Sequence, residues 1–90
     1  MTERSLQVTY RKSRTFAAYL HLSHPTSEKS ARTVASPDGL LIVDCSAAGK
    51  PLGVEITAPQ AVPLDRLNQL LAELAEPPLA EQDYRPARTA

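Results

Sequence analysis

Asp44 and Glu55 are the residues of this chain best placed to do chemistry, because two carboxylates that meet can share acid and base roles or hold a cation. They flank Ser46-Ala47-Ala48-Gly49-Lys50, a hairpin-turn sequence with Gly49 suited to the left-handed position. Whether they meet depends on register. With Cys45 opposite Lys50 the two acids share a face, two residue pairs apart; with Ser46 opposite Lys50 they fall on opposite faces. Neither register makes a tight dyad, and solvated or salt-bridged strand acids are the plainer reading. His21 completes a candidate polar site with Asp44 and Glu55. His24 follows three residues later, an offset that points to the other side of an extended backbone, so the two histidines read as surface residues rather than paired ligands.

Cys45 would be reactive only beside cations or a helix start, with Lys50 as a candidate neighbour; a small, partly buried strand residue is the simpler account. A lone cysteine leaves no intramolecular disulfide and no multi-cysteine metal site. Ser36 and Ser46 lack a nucleophile-elbow context, and no glycine-rich phosphate loop is present. No catalytic residue, metal site or cofactor is therefore expected. Two surfaces are candidates for binding instead. Arg11, Lys12 and Arg14, interleaved with Tyr10, Phe16 and Tyr19, have the composition of a nucleic-acid surface, although three cations around a hairpin turn are equally what solvation requires. Leu67, Leu71 and Leu74 belong to a leucine stripe that offers a partner-binding interface, unless it packs on the protein's own sheet.

The elements that position these residues follow from periodicity. Leu6, Val8 and Tyr10 alternate with polar residues, and Phe16, Ala18, Leu20 and Leu22 repeat the pattern with Ala17, Tyr19 and His21 on the other side. A short separation makes these two strands an antiparallel hairpin. Arg32-Thr33-Val34 has the composition of a short edge strand, and Pro37-Asp38-Gly39 is turn chemistry. Leu40 to Cys45 predicts a central strand, with Leu52, Val54 and Ile56 on the return. Pro63 opens a helix whose Leu64, Leu67, Leu70, Leu71 and Leu74 share one stripe. Pro77-Pro78 stops it. The expected fold is α+β, an antiparallel β-meander of about four strands with one C-terminal amphipathic helix packed on the sheet. Residues 1–5 are expected to be a flexible N-terminus, 6–76 a single domain, and 77–90, which lack any apolar period, a disordered tail.

The stretch from Tyr10 to Ile56 resembles a small bacterial family known as domain of unknown function two-two-eight-three. The resemblance rests on Tyr10, on Ala18-Tyr19-Leu20-His21-Leu22, and on the second hairpin with Asp44, Gly49, Gly53, Val54, Glu55 and Ile56. Arg11, Lys12 and Arg14 depart from it, standing where the family carries acids, as does Cys45-Ser46 before the turn. The resemblance implies a similar fold and supplies no activity, cofactor or catalytic residue.

Composition sets the outer limits. Ninety residues allow one thin core and no large internal cavity. With 42% apolar and 22% charged residues at zero formal net charge, no global field draws the chain to nucleic acid or an anionic membrane. Charge is divided, however: residues 1–35 carry six basic residues against two acids, and residues 36–90 carry four against eight. No signal-like apolar stretch follows the N-terminus and no run approaches a bilayer span, so a cytoplasmic protein without a membrane partner is expected. One helix cannot cover both faces of a sheet. The surplus apolar surface predicts a non-enzymatic interaction module, paired with itself as a homodimer or with another protein. The alternatives are a nucleic-acid regulator using the basic hairpin and a small enzyme using Asp44 and Glu55.

Overall fold

The alternating runs form strands because β-branched and aromatic residues fit a pleated, half-buried surface. The computed structural model describes residues 4–11, 14–22 and 29–88, with the backbone alone at Arg11 and at 14–16. Its strands are β1 (Ser5–Arg11), β2 (Arg14–His21), β3 (Arg32–Ala35), β4 (Leu41–Cys45) and β5 (Pro51–Ile56). They make one antiparallel sheet in the order β1-β2-β5-β4-β3. The fold is α+β. In place of a simple meander of about four strands, a hairpin is joined to a three-stranded meander, because β2 takes β5 as its second neighbour. The fifth strand is the short edge β3, exposed along its whole length.

One face of this sheet is apolar and covered. Ala18, Leu20 and Leu22 of the first hairpin meet Val54, Ile56, Leu41, Val43 and Cys45 in a single cluster. A 3₁₀ turn at Pro59–Ala61 and the helix α1 (Leu64–Glu73) lead over it. Pro63 precedes the first turn of α1 with extended backbone, and Asp65 places an acid near the positive end of the helix. Leu67 and Leu71 are wholly buried in the cluster. The helix ends where Ala75 takes a left-handed φ of 59° and the Glu76 N–H donates back to the Leu71 carbonyl, the geometry of a Schellman-type stop. Asp38 fastens α1 to the β3–β4 turn: its carboxylate pairs with the Arg66 guanidinium at 2.7 Å and also accepts from Ser36 Oγ and the Leu40 N–H. These donors hold the Asp38 carboxyl far below the ordinary range, Arg66 being the main cause.

The C-terminal segment overturns the expectation of a disordered tail. Leu79, Tyr84 and Ala87 are core residues, and residues Glu81–Arg88 form a second helix, α2. The segment is tied down by side chains remote in sequence. Arg4 donates to the carbonyls of Pro77 and Pro78, and Asn68 both donates to and accepts from the Leu79 backbone at 3.1 and 2.7 Å. Tyr84 Oη donates to the Val62 carbonyl at 2.8 Å, and Gln60 Nε2 donates to the Arg88 carbonyl. A two-turn helix needs only two inward residues, too few to register as a period, and Pro86 within it removes a backbone donor. The helix therefore rests on tertiary contacts rather than on propensity. No helix among the described residues is long and apolar enough to cross a membrane.

Candidate functional site

The uncovered face of the sheet carries the polar residues, and strand register decides which of them meet. Ser46 does stand opposite Lys50, its N–H donating to the Lys50 carbonyl at 2.8 Å while its Oγ accepts the Lys50 N–H. That pairing by itself would place Asp44 and Glu55 on opposite faces. A bulge intervenes: Cys45 pairs with Pro51, but Asp44 pairs with Gly53, leaving Leu52 as the extra residue. The shift by one returns both acids to the open face. Ladder pairing then sets out two adjacent rows across the sheet: Ser5, His21, Gly53, Asp44 and Thr33, and beside it Gln7, Tyr19, Glu55, Ile42 and Ala35. His21, Asp44 and Glu55 thus share one face around Gly53, with no hydrogen bond among the three.

Tyr19 occupies the space between them. Its ring leans diagonally from β2 over Gly53, where a Cβ would overlap the phenol. A glycine inside a strand is explained here by close approach of a neighbouring group. The Tyr19 hydroxyl reaches β4 and donates to Asp44 Oδ2 at 2.6 Å, while its ring lies 4.6 Å from the His21 ring at 56°. His21 Nε2 in turn lies 3.0 Å from Gln7 Oε1. One chain of contacts therefore crosses the face from β4 to β1. Beside it opens a shallow hollow of about 450 Å³ lined by Gln7, Thr9, Tyr19, His21, Ser30, Asp44 and Leu52.

The electrostatics fix the role of the phenol. Burial, then the hydrogen bond to Asp44, then the charges of Asp44 and Glu55 push the Tyr19 hydroxyl far above its ordinary value. It stays protonated at neutral pH and acts as the donor to Asp44. Among the described residues no group of three His, Cys, Asp or Glu side chains is placed to hold a metal ion.

The other sequence candidates disperse. Leu67 and Leu71 are consumed by the core, which corrects their assignment as an interface, and Leu74 packs partly against the same cluster. Cys45 is buried on the covered side, away from the hollow. Lys12 and His24 lie outside the described residues, and Arg11 and Arg14 close the first hairpin as a backbone pair. Of the aromatics read with these cations, Tyr10 and Tyr19 lie on opposite faces, and Phe16 is described by its backbone alone; Tyr10 Oη sits 3.5 Å from the Pro86 carbonyl, long for a hydrogen bond. The expected surplus of apolar surface is also small. Among the described residues the large exposed apolar side chains are Tyr10 and Val34, each 55% exposed.

Sequence reasoning placed Tyr19 on the correct side of β2 but counted it only among the aromatics of the basic surface. The signal was Gly53, an interior strand glycine that marks a close approach, yet its occupant comes from a strand more than thirty residues earlier. Comparison with protein-family models, with curated proteins and with solved structures finds no match to this chain. The functional reading accordingly rests on geometry. Asp44, Gly53 and Glu55 are the residues that frame Tyr19.

Proposed function

We propose that the chain is a non-enzymatic protein-interaction module that presents the open face of its sheet, centred on Tyr19, to another protein. The observation that carries this reading is the Tyr19 ring laid over Gly53 with its hydroxyl already bonded to Asp44. An aromatic body held in place offers contact area without a further loss of rotamer freedom, which is why tyrosine is frequent at interface hot spots. The hollow is open and shallow, suited to a protruding side chain rather than to an enclosed substrate. A photo-crosslinking residue at Thr9, on the rim, is expected to capture a partner in cells, and capture is expected to cease when Tyr19→Ala is added. The same residue at Gln82, on α2, serves as the opposite-side control. Equal capture from both positions, or capture insensitive to Tyr19→Ala, would overturn the reading.

A second reading, self-association, is favoured by β3, an exposed edge strand carrying the exposed Val34. Such edges are templates for pairing with another chain, although a short strand limits the ladder. Sedimentation at micromolar concentration decides it: a dimer that Val34→Lys dissociates supports self-pairing, and a strict monomer removes it.

A further inference from the structure

We propose that the Tyr19 hollow takes a guanidinium group, the side chain of an arginine on the docking protein. This rests on the docking reading and names its chemistry. With one side of the Tyr19 ring against Gly53 and the His21 ring tilted against it at 4.6 Å, the remaining ring surface lines the hollow. Asp44 accepts the Tyr19 hydroxyl at Oδ2, and its Oδ1 takes no hydrogen bond from the described residues. Glu55 stands directly across the ladder from Tyr19, is exposed, and has no hydrogen bond or ion pair among the described residues. In the two rows around Gly53, Asp44 and Glu55 are the fixed charges, and both are negative.

A ring with the Asp44 carboxylate in the hollow and the Glu55 carboxylate beside it, across the ladder, is complementary to a cation that is itself flat. Guanidinium stacks on an aromatic face and directs several N–H donors outward in its own plane, so one group can meet the ring and both acids together. A lysine ammonium is a compact, strongly hydrated point charge; it can pair with one carboxylate but gains less from the ring. Diagonal partners such as Asp44 and Glu55 stand roughly 7–8 Å apart along the sheet, a separation that suits a forked donor better than a single point.

The test is an NMR titration of the full chain with N-acetyl-arginine-methylamide, beside the matching lysine compound and the uncharged citrulline isostere. Saturable shifts are expected at the Tyr19 ring and at the Gly53, Asp44 and Glu55 amides with the arginine compound, weaker shifts with lysine, and none with citrulline. Glu55→Gln, an exposed substitution that leaves the Tyr19–Asp44 bond intact, is expected to weaken binding about fivefold without altering the remaining spectrum. Absence of saturable shifts, equal response to citrulline, lysine binding as tightly as arginine, or indifference to Glu55→Gln would each overturn the assignment. If the titration fails while capture through Thr9 still depends on Tyr19, the guanidinium falls and the docking reading stands. If capture does not depend on Tyr19, the docking reading itself falls.

Discussion

On the covered face Leu20, Val54 and Ile56 are wholly enclosed in the cluster that also holds Leu67, Leu71 and Tyr84, whereas one residue along each strand Tyr19, Gly53 and Glu55 belong to the uncovered face. The covered side depends on volume, since close-packed apolar groups respond to lost or added methylenes. The open side depends on individual atoms: one missing Cβ at Gly53 and one hydroxyl on Tyr19 determine its shape. The comparison teaches that a thin sheet can separate stability from recognition by side-chain alternation alone.

The strongest way to break that separation is to truncate a residue on each side. Leu71→Ala is expected to cost about 3 kcal/mol in urea unfolding, while Gln7→Ala on the open face is expected to stay within about 0.5 kcal/mol. Comparable costs would dissolve the distinction. Gly53→Ala is the exception the geometry demands of the open face. Its Cβ collides with the Tyr19 ring, so a loss of about 2 kcal/mol is expected. In a Tyr19→Ala background most of that loss should vanish, giving a coupling of at least about 1 kcal/mol in the double-mutant cycle. Simple additivity would mean that the ring does not lie on Gly53.

Hydroxyl deletions sharpen the comparison further. Tyr84→Phe leaves the buried Val62 carbonyl without its principal donor and is expected to cost about 1.5 kcal/mol. Tyr19→Phe is expected to cost about 1 kcal/mol near neutral pH, with a distinct alkaline signature. The folded-state pKa of Tyr19 is raised, so its contribution is complete below the unfolded value of about 10 and is lost as pH climbs past it. Wild type and Tyr19→Phe should therefore converge in stability at high pH; a gap that widens there would contradict the hydrogen bond. The smallest effect belongs to the exposed Asp38–Arg66 clamp on the covered side. Asp38 is lowered, so its contribution is present above the unfolded carboxylate value of about 4 and fades as pH falls. The difference in Tm between wild type and Asp38→Asn should hold down to about pH 4 and shrink from there toward about pH 2, and a constant difference would refute the linkage.

Much of the scaffold was legible in the chain. Alternation at Leu6, Val8, Ala18, Leu20, Val54 and Ile56 marked the strands, and the leucine spacing with Pro63 marked α1, because period and breaker residues are local properties. The candidate site was legible in part: His21, Asp44 and Glu55 were each named, but their common face depended on the bulge at Leu52. The leucine stripe was legible as a stripe, yet its use in the core rather than at an interface depended on what lay opposite. Helix α2 escaped because its anchors, Leu79, Tyr84 and Ala87, are sparse and their partners lie far away in sequence.

The sequence by itself determined the two acids, the hairpin turn and the glycine between them, since residue type, turn chemistry and strand alternation are fixed by neighbours along the chain. Tertiary structure decided that β2 would lie beside β5, and with that pairing came the Tyr19 ring over Gly53 and its bond to Asp44. The physical reason is one of range. A turn and an alternating strand are specified within a few residues, but register across a bulge and a diagonal contact spanning three strands exist only once distant segments share one sheet.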